Sequence, residues 1–365
     1  MIRVLHLLPS SGIGGGPRHV ADLVTHLPPD IACWTWGDLN RVSGRMLAQV
    51  VRMVRAYRID VLHGHGAGGR LYAAMAGVVT RRPSVLTYHG LEPERFGPVA
   101  RRAVLAVERA WNRMAAAAIH VSESQATYGR MLGLPGRVIP NGIDAALVRA
   151  KADAGPNRLA LGLPLLPPVI GSGGRWTDPV KGLGDLLEAH RQLWDSGVSR
   201  LVSSTWLCLV GPVPAMDSWP ARVFRIGETP EAASLLGCFD LYASASRSEG
   251  MPYGVMDAMA CGLPVVATAV RGHIDLVEDG VTGRLVDREN LASAMAELLA
   301  DPDRRKAMGE AERPVLAEHR GVDFAADQPA RLIGPDLHGH RLLGGGNLLS
   351  VGRRRSRGTQ LFHQR

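Results

Sequence analysis

The chain has 365 residues, 46% hydrophobic and 21% charged, an ordinary globular composition with material for two cores, so two domains are expected. Its net charge of +8 is uneven: residues 331–365 hold seven arginines and one acid, leaving +2 for the body, which argues against a nucleic-acid-binding surface. Four scattered cysteines without a CxxC pair, and no apolar run near the roughly 20 residues that cross a bilayer, predict a reduced cytosolic protein without structural metal.

The first strand is expected over Ile2–Pro9, with a glycine-rich loop from Ser10 to Pro17 and an amphipathic helix from Arg18. Strand, glycine loop and helix suit a phosphate. Gly12 and Gly14 begin a G-x-G-x-x-G/A dinucleotide fingerprint that fails at its last position, where Pro17 stands; Asp38 stands at ribose-binding distance, so the loop alone leaves a nicotinamide enzyme open. A plain tight turn explains any single glycine equally well. A strand over Ile31–Trp36, a helix over Ser43–Tyr57 and a strand over Ile59–His63 follow. His63 and His65 suggest a metal pair, but no third ligand lies nearby in sequence. The strand Ser84–Tyr88 ends at His89, a cleft residue or a capping one. A helix over Pro98–Ala118 carries Arg101, Arg102, Arg109 and Arg113, read as a solvated face. The strand 118–122 leads to a helix capped by Ser122 or Ser124. VIPNGID, 138–144, closes the half, and 145–167 reads as a linker with a short helix at Asn157–Leu161.

The second sheet should start at Pro168–Gly173 and continue with strands at 207–211, 223–227, 239–244 and 265–268. Between the first two lie Arg175 and Lys181, a forked and a compact cation; lysine is scarce, with three in the chain. Ser248 to Asp257, SEGMPYGVMD, reads as a loop opening a short helix, with Pro252 in its first turn and Gly262 and Pro264 ending it. A helix mouth attracts phosphate through free N–H groups. Glu249 stands beside that mouth and Asp257 about two turns inside. Asp301-Pro302-Asp303 reads as a helix cap, not a metal motif.

The stretch EGMPYGVMDAMACGLPVVAT resembles the E-x7-E motif of retaining glycosyltransferases of group 1, or family 4, with Asp257 where that family usually has Glu. The segments D-V-L-H-x-H, VIPNGID, the G-R…K-G pair of Arg175 and Lys181, and RGHIDLVEDGVTGRLV over 271–286 resemble it too. The resemblance implies an α/β GT-B fold of two doubly wound Rossmann-like domains facing a cleft: 1–160 on the acceptor side, 161–328 binding the nucleotide sugar, and 329–365 a basic, disordered tail. It implies metal-free transfer from a nucleoside diphosphate sugar, UDP- or GDP-linked, to a hydroxyl of a glycan, lipid-linked or small-molecule acceptor, with no cofactor. In that scheme Arg175 and Lys181 hold the diphosphate with the helix mouth at Gly250, Met251, Tyr253 and Gly254. Glu249 grips the transferred sugar, Asp257 the ribose, and Arg225 and Ile226 the base, while Gly14, Gly15 and His89 approach from the first domain. The basic helix from Pro98 resembles ones that lie on anionic membranes, placing the protein in the cytoplasm or at the membrane's inner face. RGHIDLVEDGVTGRLV is expected to form the final strand pair and to mark the fold more than the chemistry. An epimerase or hydrolase on the same fold and an inactive relative are the competing readings.

Overall fold

The computed structural model describes the chain except for Ser11, Asn40, Ser196 and residues 319–359 and 363–365. It divides into two units, one built from Met1–Gly12, Gly16–Ile139 and Val322–Arg365, the other from Pro140–Gly321 together with Ile13–Gly15.

The first unit is a parallel sheet. Its strands are β1 (Ile2–Leu7), β2 (Ile31–Trp36), β3 (Val61–His65), β4 (Ser84–Tyr88), β5 (Ala117–His120) and β6 (Arg137–Val138), in the order β2-β1-β3-β4-β5-β6. β4 is buried at every residue, as expected of a strand covered on both faces. Leu5, Leu7, Leu62 and Leu86 meet Val50, Val54, Tyr72 and Ala73 from the helices Gly44–Ala56 and Gly66–Thr80. Ser43 caps the first of these helices. Arg70 crosses to the helix Pro98–Met114, where its Nε and Nη2 donate to Glu108 at 3.2 and 2.6 Å, both side chains being buried. Helix Gly15–Thr25 begins three residues earlier than its pattern suggests, because Pro17 fits the first turn, where no N–H is needed.

The second unit is a parallel sheet of order β12-β11-β10-β7-β8-β9. Its strands are β7 (Val169–Gly173), β8 (Trp206–Val210), β9 (Val223–Ile226), β10 (Leu241–Ser244), β11 (Val265–Thr268) and β12 (Gly283–Val286). β11, the VVAT stretch, is wholly buried. The expected linker forms two capped helices, Ala145–Asp153 behind Asp144 and Arg158–Leu161 behind Asn157. They pack on this unit: Arg149 donates to the Ala260 carbonyl, and Arg158 to the Cys238 carbonyl and Asp240. The strand pair expected over 271–286 is a single strand, β12; residues 271–276 turn instead, because Gly272 takes a left-handed φ of 82° and starts the turn. Asp301 caps the helix Pro302–Glu318 through Arg304 N–H. The tail expected to be disordered lies outside the described residues except for Gln360–Phe362, strand β13, which pairs with β2. No described helix is long and apolar enough to cross a membrane.

Candidate active site

The site grows from the carboxyl end of the second sheet. After β10 the chain runs through Ala245–Met251 into the eight-residue helix Tyr253–Ala260. Pro252 is the residue before that helix, not inside it, and its carbonyl takes the first intrahelical bond from Met256 N–H. The first N–H groups of this helix point out of its N-terminal end, which carries the positive end of the helix dipole. Asn141, from the NGID turn, donates to the Met251 carbonyl at 3.0 Å and fixes the mouth. Gly254 allows the closest approach: a Cβ there would stand 2.3 Å from the Tyr242 hydroxyl.

Lys181 reaches this mouth from the loop after β7. Trp176 anchors that loop by donating its ring N–H to the Val210 carbonyl at 3.2 Å, while Asp178 caps the turn Pro179–Lys181. Gly182 follows at φ 66°, where a Cβ would strike the Ala245 carbonyl at 2.1 Å, so only glycine lets the turn lie on the Glu249 loop. Arg247 N–H bonds the Val180 carbonyl at 2.7 Å from the other side. The result is a 2.6 Å contact from Lys181 Nζ to Glu249 Oε1, which also accepts from Ser246 Oγ at 2.7 Å. Burial alone would raise the Glu249 carboxyl, but the Lys181 ammonium, His273 and both hydrogen bonds outweigh it, so it is held below the ordinary carboxylate range and ionised. Arg175 is exposed on the same loop, just past β7.

Asp257 is buried on the helix one turn past Tyr253. Tyr242, on β10, accepts from Gly173 N–H at 3.0 Å; burial pushes its phenol up, and the Asp257 and Glu249 carboxylates add to that. Arg225 is exposed on edge strand β9 with its guanidinium 4.9 Å over Trp219, and the Ile226 carbonyl accepts from Gly211 N–H.

Sequence reasoning missed part of the cluster. His273 lies in the RGH segment expected to mark the fold alone. Its Nδ1 donates to the Thr268 carbonyl at 2.8 Å, so Nε2 accepts from Ser244 Oγ at 3.0 Å. Burial lowers its pKa despite the opposing pull of Glu249, keeping the ring neutral. Gly272, just before it, lies against the Glu249–Gly250 backbone. The signal was available, a Gly-His pair following Arg271, but Tyr242 looked like any strand residue.

In the first unit the structure overturns the expectation that His63 and His65 lack a third partner. The parallel order brings His6 from β1 beside them, and His19 joins His65 and His89. Each of these two trios offers ligand atoms within 4.8 Å of one another, the geometry from which a cation site is built. Several of those lone pairs are engaged within the cluster: His6 Nδ1 and His65 Nε2 are 3.1 Å apart, and so are His65 Nδ1 and His89 Nε2. Burial first, then repulsion from neighbouring cationic groups, holds His6 down to about 3 and His63, His65 and His89 well below the ordinary imidazole value, so these four rings are neutral. Gly14 and Gly15 stand at the start of the helix that carries His19.

Residues 16–147 match the family described as Glycosyltransferase Family 4, and residues 167–301 the family described as Glycosyl transferases group 1. The chain is 30% identical to D-inositol 3-phosphate glycosyltransferase 1 of Catenulispora acidiphila, over 74% of this chain and 71% of that protein. It is 28% identical to the lipopolysaccharide core biosynthesis mannosyltransferase LpcC of Rhizobium leguminosarum bv. viciae, over 81% and 83%. Among solved structures, Anabaena HepE in complex with UDP-glucose superimposes with a TM-score of 0.76 at 22% identity, covering 91% of this chain and 99% of that one. The chain thus belongs to the group 1, family 4 glycosyltransferases, and its two parallel α/β units have the GT-B fold.

Proposed function

We propose that this glycosyltransferase moves a sugar from a nucleoside diphosphate sugar to an acceptor hydroxyl, with retained anomeric configuration and without a divalent cation. The observation that carries the reading is the 2.6 Å Lys181–Glu249 contact beside the open end of the Tyr253–Ala260 helix. An ammonium has three donors. One is engaged by Glu249, and two remain for phosphate oxygens. Arg175 adds forked donors from the same loop, and the helix end adds backbone N–H groups at Tyr253 and Gly254, with Gly250 and Met251 forming the approach. Breaking a glycosyl–phosphate bond puts charge on the leaving diphosphate, and these groups meet it as it develops.

Both contacts to Glu249 fall on Oε1. Oε2 is the atom that takes a hydroxyl of the transferred sugar. Asp257 takes the ribose diol; because its side chain is one methylene shorter than Glu, either a water bridges the gap or the helix sits closer. Arg225 and Ile226 border the base, Gly14 and Gly15 approach the phosphates, and His89 steadies the sugar near the reacting carbon. A phosphate oxygen of the leaving group accepts the proton of the acceptor hydroxyl on the same face. The UDP-glucose in HepE supports a nucleotide-sugar donor, UDP- or GDP-linked. The names of LpcC and of the inositol phosphate enzyme support a lipid-linked glycan or a small molecule as acceptor. The proposed site of action is the cytoplasm, at the membrane's inner face where the acceptor is lipid-linked.

The test is a panel of UDP- and GDP-sugars screened by thermal shift, then turnover with chelator present and the product's anomeric coupling read by NMR. Lys181→Ala should lower kcat about 100- to 1000-fold, as loss of one oxyanion donor does elsewhere. Unchanged turnover in that variant would refute the assignment. Donor breakdown or isomerisation without an acceptor would favour the epimerase or hydrolase reading instead.

A further inference from the structure

Four side chains, three from neighbouring strands and one from the residue just past the next strand, form a hydrogen-bonded row across the first sheet. The order β2-β1-β3-β4 sets Cys33, His6, His65 and His89 in line. Cys33 Sγ lies 3.6 Å from His6 Nε2, His6 Nδ1 lies 3.1 Å from His65 Nε2, and His65 Nδ1 lies 3.1 Å from His89 Nε2. The first three residues are buried; His89, at the far end, is half-buried. His63 and His19 wall the row, ring centroids 4.1 Å from His65 and 4.7 Å from His89. His63 is itself tied to Thr87 Oγ1 at 2.7 Å.

A neutral imidazole has one N–H and one lone pair. A ring that accepts at one nitrogen must donate from the other, so the direction chosen at one end propagates to the other. A thiol sulfur is a weak acceptor, whereas a neutral imidazole nitrogen is a good one. Burial pushes the Cys33 thiol up to about 12, so the S–H proton is present at neutral pH. The S–H then donates to His6 Nε2, His6 Nδ1–H to His65 Nε2, and His65 Nδ1–H to His89 Nε2. The proton left over sits on His89 Nδ1.

We propose that Cys33, His6 and His65 are positioning residues that fix His89 as the Nδ1–H tautomer, making it a hydrogen-bond donor and not a base. The consequence for transfer rests on the placement of His89 beside the donor sugar argued above; the tautomer does not. A donor at this position steadies a sugar oxygen as charge develops and cannot take the acceptor's proton, leaving that proton to the departing phosphate.

The experiment is ring-nitrogen NMR of the full chain labelled with 15N-histidine at neutral pH, with His89 assigned by its loss in His89→Asn. Wild type and Cys33→Ser, which keeps a donor, should both show a protonated Nδ1 and an unprotonated Nε2 at His89. Cys33→Ala should show both tautomers and lose roughly two- to tenfold in kcat, the worth of one hydrogen bond, with Cys33→Ser restoring it. A wild-type His89 protonated on Nε2, or a Cys33→Ala spectrum identical to wild type, would overturn the proposal. If Cys33→Ala fails to fold, the wild-type and serine spectra still decide. Unchanged turnover in His89→Ala would instead sink the placement of His89 in the site and leave the tautomer standing.

Discussion

Acid should unfold the first domain, and the histidine cluster sets the pH at which it does. His6 is driven to about 3 by burial, with the charge of His19 adding to it. In the unfolded chain an imidazole titrates near 6.5. The native state refuses the proton that the unfolded chain accepts. The stability tied to neutral His6 is therefore fully present above about pH 6.5 and is lost as pH falls toward about 3. At about pH 5, some 1.5 units below the unfolded value, the loss is about 2 kcal/mol at ~1.4 kcal/mol per unit. His63, His65 and His89 are lowered in the same direction and by the same first cause, so each adds to the loss. Several such contributions rival the roughly 5–15 kcal/mol that holds a domain folded.

Hydrogen exchange resolved by peptide, run in a denaturant series at about pH 7.5 and about pH 5, separates the two domains. Peptides covering β1 and β3 should lose protection at much lower denaturant in acid, while those covering β7 and β10 shift less. His6→Asn should flatten the pH slope of the first domain by about one proton's worth, ~1.4 kcal/mol per unit. A first-domain midpoint that does not move between the two pH values, or a His6→Asn slope equal to wild type, would refute the reasoning.

Glu108→Gln should destabilise the first domain by about 3–5 kcal/mol in denaturant titration, because it strands the buried Arg70 guanidinium 4.4 Å over the Tyr88 ring. Replacing both partners, as Arg70→Met with Glu108→Leu, should recover most of that; a single variant within ~1 kcal/mol of wild type counts against the pair. Gly254→Ala should cost about 1–3 kcal/mol and weaken nucleotide binding, since its methyl meets the Tyr242 hydroxyl. Adding Tyr242→Phe should restore part of the stability, and no rescue would mean that the clash lies elsewhere.

What could be read from the sequence was whatever is decided locally. Ser43, Ser122, Asn157 and Asp301 cap helices where polar residues precede an apolar period. VVAT is a buried strand because it is β-branched and bounded by Pro264. The Glu249 loop and the Lys181 turn were legible for the same reason, glycines and a proline at fixed offsets. The partnership of Lys181 with Glu249 was not, because it depends on Gly182 seating one loop on another 68 positions away. The histidine row was illegible in a different way. His6 and His65 are 59 positions apart and Cys33 lies between them in sequence, yet the parallel order places β1 between β2 and β3. Spacing shows that histidines end several strands; only the strand order shows that they touch. His273 escaped because its segment looked like a strand, and a turning backbone aims its ring at Ser244 instead.

The Lys181–Glu249 contact makes one carboxylate serve two opposed tasks, and the opposition can be measured. Glu249 holds Lys181 in place and also offsets its charge, so in the resting site the ammonium attracts phosphate less than a lone cation would. With side chains 27% and 12% exposed, the pair is screened only in part by water. Glu249→Gln keeps the shape and removes the negative charge. The ammonium then meets the diphosphate unopposed, and a nucleoside diphosphate alone should bind as tightly as to wild type or several-fold tighter, a gain of up to ~1 kcal/mol. On the proposed role of Glu249 the transferred sugar loses its charged acceptor in the same variant, so kcat should fall by about 100-fold or more. Tighter product binding with slower turnover is the signature of a carboxylate that grips the sugar and tempers the lysine. Equal loss of nucleotide affinity and turnover, measured by calorimetry and initial rates, would show that Glu249 only props up the loop.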